Sequence, residues 1–290
     1  MDGLLHQVFS GIATGGIYAS LALALVMIYQ ATHHVNFAQG EMAMFSTYIA
    51  LTLIEVGVPY WGAFIITVVA SFAMGAVIQR VLMNPMRDAP VLASVGIFIG
   101  LLLIFNSVAG WLFTYTLKPF PTPFGGGAPL FGGFVSRHEL GSTAVTLAVL
   151  LTVWAFFRFT RLGLAMRAAA YNPASSRLVG IPVGQMLALG WGLAAAIGAI
   201  AGMMIAPIVF LDPNMMSGVL LYAFAGALLG GITNPMGAVI GGFLVGVIEN
   251  IGGAYLVGTE LKLSLALVII VVVLIGRPAG LFGRTVVSRV

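Results

Sequence analysis

Cysteine is absent from the chain, and charged residues make up only 7% of it. Without thiols there is no disulfide framework, no thiolate nucleophile and no cysteine ligand for a metal. An ordinary soluble domain carries roughly 25% charged residues, so so little charge excludes a water-exposed globular surface. Also missing are the HEXXH, GXSXG and Walker A patterns, which removes the common zinc-protease, serine-hydrolase and nucleotide-binding readings. The histidines offer no metal cluster, because His33 and His34 are adjacent and His6 and His138 lie in remote segments. The first residues, MDGLLHQ, lack the basic stretch of a signal peptide, so the first apolar run is expected to be retained.

What remains is apolar: 60% of the 290 residues are hydrophobic. Runs this long, without alternation of polar and apolar residues, exclude an outer-membrane barrel and specify a polytopic bundle of transmembrane helices. About eight to ten spans fit the length. The runs are Val8 to Tyr29, Asn36 to Ile54, Trp61 to Leu82, Val91 to Phe113, Leu140 to Phe157, Val183 to Pro207, Met215 to Ile232, Gly237 to Val257 and Leu261 to Ile275. Two are interrupted. The segment QATHHVNFAQGE, Gln30 to Glu41, is the most polar stretch among the apolar runs and makes the second span broken or partly re-entrant. The second break, Thr233-Asn234-Pro235-Met236, joins two glycine-rich runs. Gly230, Gly231, Gly237, Gly241, Gly242 and Gly246 would let backbones touch there. The whole of 1–290 is read as one transmembrane domain, with an irregular extracytoplasmic loop over 114–139. Trp111, Phe113, Tyr115, Phe120 and Phe124 are expected to press that loop on the bilayer surface.

The basic residues set the orientation. Arg80, Arg87, Arg158, Arg161, Arg167, Arg177, Arg277, Arg284 and Arg289 fall on one side if every run crosses, nine of the twelve Lys and Arg. That side is therefore cytoplasmic. The positive charge belongs to this rule and not to a nucleic-acid partner. Four of the nine lie in one acid-free loop, 158–182. Its Leu162 to Ala170 reads as a short helix, broken at Asn172-Pro173 and followed by a second helical turn that Gly180 and Pro182 end. Topology alone needs two or three charges near the span ends. Arg167 and Arg177 sit within a structured segment instead, which favours a docking surface.

Ionisable groups inside apolar runs are costly and invite a functional reading. Glu41 and Glu249, the latter followed by Asn250, are the two acids in such runs. A helix start near the interface explains Glu41 as well as a translocation path does, and a buried structural bond would equally explain Glu249. Interfacial capping comes before pore lining for Asn36 and Gln39. Coupling of an ion gradient through Glu41 and Glu249 would make the chain a secondary transporter, a reading that gives the basic loop no partner. An enzyme is disfavoured by the missing catalytic constellation.

Three stretches resemble one family, the permease subunits of bacterial ABC importers for branched-chain amino acids. Val35 to Glu41, VNFAQGE, is similar to the family's NFAHG segment, with Gln39 where the family often has His. Gly163 to Ile181 resembles its cytoplasmic loop, and Gly230 to Glu249 resembles its glycine-rich hairpin. The resemblance implies a type II importer permease fold in the inner membrane and import of branched-chain or other hydrophobic amino acids by alternating access; urea or short amides are an alternative cargo. It implies a second, homologous permease subunit, two cytoplasmic ATPases that bind ATP and Mg, and a periplasmic binding protein. This chain would hold no cofactor or metal. Arg161, Met166, Arg167, Tyr171, Asn172 and Arg177 would form the ATPase-coupling loop. Asn36, Gln39, Glu41, Asn234, Glu249 and Asn250 are the candidates for the path.

Overall fold

A computed structural model describes residues 2–32, 34–86, 90–125 and 135–283. His33, Arg87, Gly126, Gly127, Arg284, Arg289 and the middle of the 114–139 loop lie outside the described residues. The described chain is helical, apart from one isolated antiparallel bridge between Lys118 and Leu211. In order the helices are α1 (Asp2–Thr32), α2 (Gln39–Glu55), α3 (Tyr60–Ile78), α4 (Val91–Phe113), α5 (Arg137–Phe159), α6 (Arg161–Tyr171), α7 (Pro173–Leu178), α8 (Val183–Val209), α9 (Met216–Gly230), α10 (Pro235–Gly252) and α11 (Lys262–Gly276). α3 continues as a π-helical turn over Gln79–Met83, and α10 does the same over Gly253–Val257.

Six helices among the described residues are long and apolar enough to cross a membrane: Gly3–Gln30, Tyr60–Met83, Leu92–Phe113, Arg137–Phe159, Val183–Val209 and Pro235–Val257. The other three apolar runs form shorter helices, of 17 residues in α2 and 15 each in α9 and α11. At 1.5 Å per residue these reach only about 22–26 Å, short of a hydrocarbon core of about 30 Å. Both polar interruptions are real breaks: α1 stops at Thr32 and α2 starts at Gln39, while α9 stops at Gly230 and α10 starts at Pro235.

The residues gather into two compact units. One comprises residues 1–26, 124–144 and 218–290; the other comprises 27–123 and 145–217. In the second unit α8 is the central rod. Its Ala194 to Ala206 stretch is buried throughout, and it packs against α2 and α3. The Ser46 and Ser71 hydroxyls, 2.7 Å apart, join α2 to α3. The start of the 114–139 loop also turns inward, contrary to the expectation for Phe120. Its ring is buried edge-on to Tyr60, and the Lys118–Leu211 bridge holds the loop to the turn after α8. Trp111 and Tyr115 remain exposed.

In the first unit, α10 runs between α1 and α9 at backbone contact. Gly242 lies against Ala19, Gly246 against Gly15, Gly241 against Gly226, and Gly237 against Gly230. A Cβ at Gly242 would collide with the Ala19 backbone, which no rotamer change can relieve. Gly231 ends α9 with φ +108°, a conformation that glycine adopts without steric cost. The segment after α11 returns to this hairpin: the amide N–H groups of Leu281 and Phe282 donate to the carbonyls of Leu229 and Gly230 at 2.8 and 3.1 Å.

Gly242→Leu is expected to overpack the α1–α10 seam and to cost about 1–3 kcal/mol or more. A lowered thermal midpoint in detergent checks this; an unchanged midpoint would refute the seam.

Candidate functional site

The loop after α5 is built from caps. Thr160 accepts the Gly163 N–H at 2.9 Å and starts α6. Asn172 accepts the Ser175 N–H at 3.0 Å and starts α7, with Pro173 at its first position, where the missing N–H costs nothing. Gly180, at φ +81°, turns the chain out of α7, and the Ile181 N–H closes on the Ser176 carbonyl at 2.9 Å. Both helices fall where the sequence put them, within a residue or two.

α6 is two-faced. Gly163, Met166 and Ala169, spaced three apart, are buried, and Met166 and Ala169 pack with Val183, Met186 and Leu187 of α8. Met166 therefore lies beneath the loop surface, where it anchors α6. Arg161, Arg167, Tyr171, Asn172 and Arg177 are exposed. Tyr171 is 93% exposed and Leu178 is 89% exposed, so the outer surface mixes three cations with bare apolar side chains.

The polar breaks are internally paired. Asn36 and Gln39 are fully buried. Asn36 accepts the Ala38 N–H at 3.0 Å, and the Gln39 amide donates at 2.9 Å to the carbonyl of Ala194 in α8. A Cβ on Gly198 would stand 2.6 Å from that amide, so α8 is pared back to receive it. These two residues fasten the start of α2 to α8. Asn234 is also a cap: its carbonyl oxygen accepts the N–H groups of Met236 and Gly237 at 3.1 and 3.2 Å, and its amide donates to the Phe282 carbonyl at 3.1 Å.

Glu249 and Asn250 tie α10 to its neighbours. Tyr18 donates to Glu249 at 2.9 Å, Lys262 lies 3.5 Å from the other carboxylate oxygen, and Tyr18 stacks on Tyr222 with centroids 5.0 Å apart. The Asn250 amide donates to Thr14 Oγ1 and to the Gly246 carbonyl, both at 3.0 Å. Glu41 is different. It is 5% exposed, and the polar group it meets is the amide of Asn106 in α4, at 3.5 Å. The sequence reading missed Asn106, although it is the one amide side chain in the apolar run Val91 to Phe113. No group of three or more metal-binding side chains occurs among the described residues.

A family model described as "Branched-chain amino acid transport system / permease component" matches residues 7–274. The chain belongs to that family and is a multi-pass membrane protein. The high-affinity branched-chain amino acid transport system permease protein BraD of Pseudomonas aeruginosa is 30% identical over 302 residues, covering 99% of this chain and 98% of BraD. LivH of Salmonella typhimurium, whose name carries the same description, is 29% identical over 303 residues, covering 99% and 97%. The ribose import permease protein RbsC of Escherichia coli is 26% identical over 257 residues, covering 85% and 77%.

Lys262→Met leaves Glu249 in place without its cation and is expected to cost of the order of 3 kcal/mol. The double change Glu249→Met with Lys262→Met is expected to recover most of that loss. Thermal unfolding of the three proteins checks the pair; equal stability of Lys262→Met and the parent would show that the ion pair holds nothing.

Proposed function

We propose that this chain is the permease subunit of an ATP-driven importer and moves branched-chain or similarly hydrophobic amino acids by alternating access. The observation that carries the reading is the outer surface of α6 and α7. There Arg161, Arg167 and Arg177 stand beside uncovered Tyr171 and Leu178, on a loop whose inner side is fixed to α8. Such a surface suits a cytoplasmic ATPase: arginines pair with acidic side chains, and Tyr171 fills an apolar pocket. ATP and Mg belong to that partner. ATP-driven closure of two ATPases pulls the loops together, and α8 carries the displacement into the spans.

The full assembly on this reading holds a second homologous permease, two ATPases and a periplasmic binding protein, in the bacterial inner membrane. The α6–α7 loop and the C-terminus face the cytoplasm. The substrate class is supported by relatives named for branched-chain amino acids at 29–30% identity over nearly the whole chain. Ion coupling through Glu249 has less support, because that carboxylate is committed to Lys262 and Tyr18.

Tagged chain purified in mild detergent with its ATPases and partner permease should take up radiolabelled leucine into proteoliposomes only when ATP and the binding protein are supplied. Arg167→Glu is expected to reduce ATPase co-purification and ATP-dependent uptake together, while the variant still inserts. Undiminished co-purification would remove the docking assignment, and uptake without ATP would replace the importer with a secondary transporter.

A further inference from the structure

A second polar centre in the unit containing α8 lies where α2, α4 and the turn after α8 meet. Glu41 and Tyr48 are seven residues apart, so two helical turns put them on one stripe of α2. Phe45, between them, packs against Phe105 of α4 with ring centroids 5.4 Å apart. Tyr48 stacks on Phe113 at 4.3 Å, and Lys118 Nζ lies 5.6 Å from the centre of that same Phe113 ring. Asp212, in the turn after α8, accepts the N–H of Asn214, whose side chain shares the Asn106 amide with Glu41. Tyr48 and Lys118 thus both lie against the Phe113 ring, and Glu41 shares the α2 stripe of Phe45 and Tyr48.

Donors are short here. The Asn106 amide nitrogen donates to the Pro213 carbonyl at 2.9 Å and to Asn214 Oδ1 at 3.1 Å, and reaches Glu41 only at 3.5 Å. The Asn106 carbonyl oxygen is itself held by the Tyr115 hydroxyl at 3.0 Å, which fixes the amide's orientation. Asp212 accepts the Asn214 N–H at 3.2 Å. Tyr48 is fully buried, and its hydroxyl has no hydrogen-bond partner. Buried polar groups in native proteins are almost always paired, and a buried carboxylate with one long contact has lost its water for little return. A primary ammonium supplies what is missing, three N–H donors and a positive charge between two acids. With two carboxylates and no third metal-binding side chain nearby, the donor set is poor for a divalent cation.

We propose that Glu41, Asp212 and Tyr48 receive the α-ammonium of a zwitterionic amino acid, with Lys118 taking its carboxylate and Phe45, Phe105 and Phe113 bordering its apolar side chain. Asn106 acts as a positioning residue that holds Glu41 and the Pro213–Asn214 turn together. This deepens the amino-acid permease reading and rests on it.

The test separates the two charges of the ligand. Saturation-transfer NMR on the purified permease–ATPase assembly is recorded with L-leucine, with 3-methylbutylamine (its ammonium alone) and with 4-methylpentanoate (its carboxylate alone). Asp212→Asn and Glu41→Gln are each expected to weaken binding of the amine about tenfold, the size of a lost charged hydrogen bond, and to leave the acid unchanged. Lys118→Gln is expected to do the reverse. A structural defect would weaken both analogues alike, and that result, or no loss of either, overturns the proposal. If Glu41→Gln does not assemble, Asp212→Asn, at a half-buried turn position, decides the amine arm alone. ATP-dependent leucine uptake by the parent assembly is measured on the same preparation. Failure of uptake sinks the permease reading, whereas uptake with charge-blind binding sinks only this station.

Discussion

Hydrocarbon offers no hydrogen bonds, so a polar group carried into the bilayer is costly unless it finds a partner inside the protein. That constraint governs both helix breaks. Where the chain leaves helical geometry before α2, Asn36 bonds the freed Ala38 amide and Gln39 bonds a carbonyl of α8. Where it leaves between α9 and α10, Asn234 serves two amides and one carbonyl. The same side-chain chemistry, a short amide that both donates and accepts, solves the same problem twice. The glycines of α10 follow from a related condition. Lipid is as apolar as leucine, so helices gain by close backbone contact and not by burying larger side chains.

Within this economy the buried glutamates differ in how fully they are paired. Glu249 has a phenol and an ammonium, and its neighbour Asn250 has a hydroxyl and a carbonyl. Both serve as fasteners between helices. Glu41, Asp212 and Tyr48 hold more acceptor capacity than their surroundings satisfy, and they line an aromatic wall instead of a glycine seam. Two buried glutamates of the same chain thereby differ: one is spent on cohesion between helices, and the other meets one amide at long range.

Much of this was legible in the residues. Composition and run length gave the helical membrane class, α4 begins and ends where the apolar run does, and the Asn-Pro pairs marked the breaks before α7 and α10, where in the structure each Asn caps and each Pro opens the next helix. The pairing of the polar groups was not legible. Gln39 finds its acceptor 155 positions away, a distance no local pattern encodes, and Asn106 was hidden in an otherwise uniform apolar run. Nor could periodicity show that Met166 points inward from a loop read as surface, since a stripe of Gly163, Met166 and Ala169 is too short to stand out. The π turns closing α3 and α10 left no compositional mark.

The packing of α6 on α8 has a mechanical consequence. Met166 and Ala169 press on Val183, Met186 and Leu187 near one end of α8; further along the same helix, Ala194 holds Gln39 at the polar break. An α-helix resists compression along its axis because each turn is braced by the next. A load applied to the basic loop therefore reaches the Gln39 bond as a displacement of a stiff strut, with no flexible segment between them to absorb it. The loop and the helix break thus rest on one unbroken helix, and a shift of that helix would carry both together.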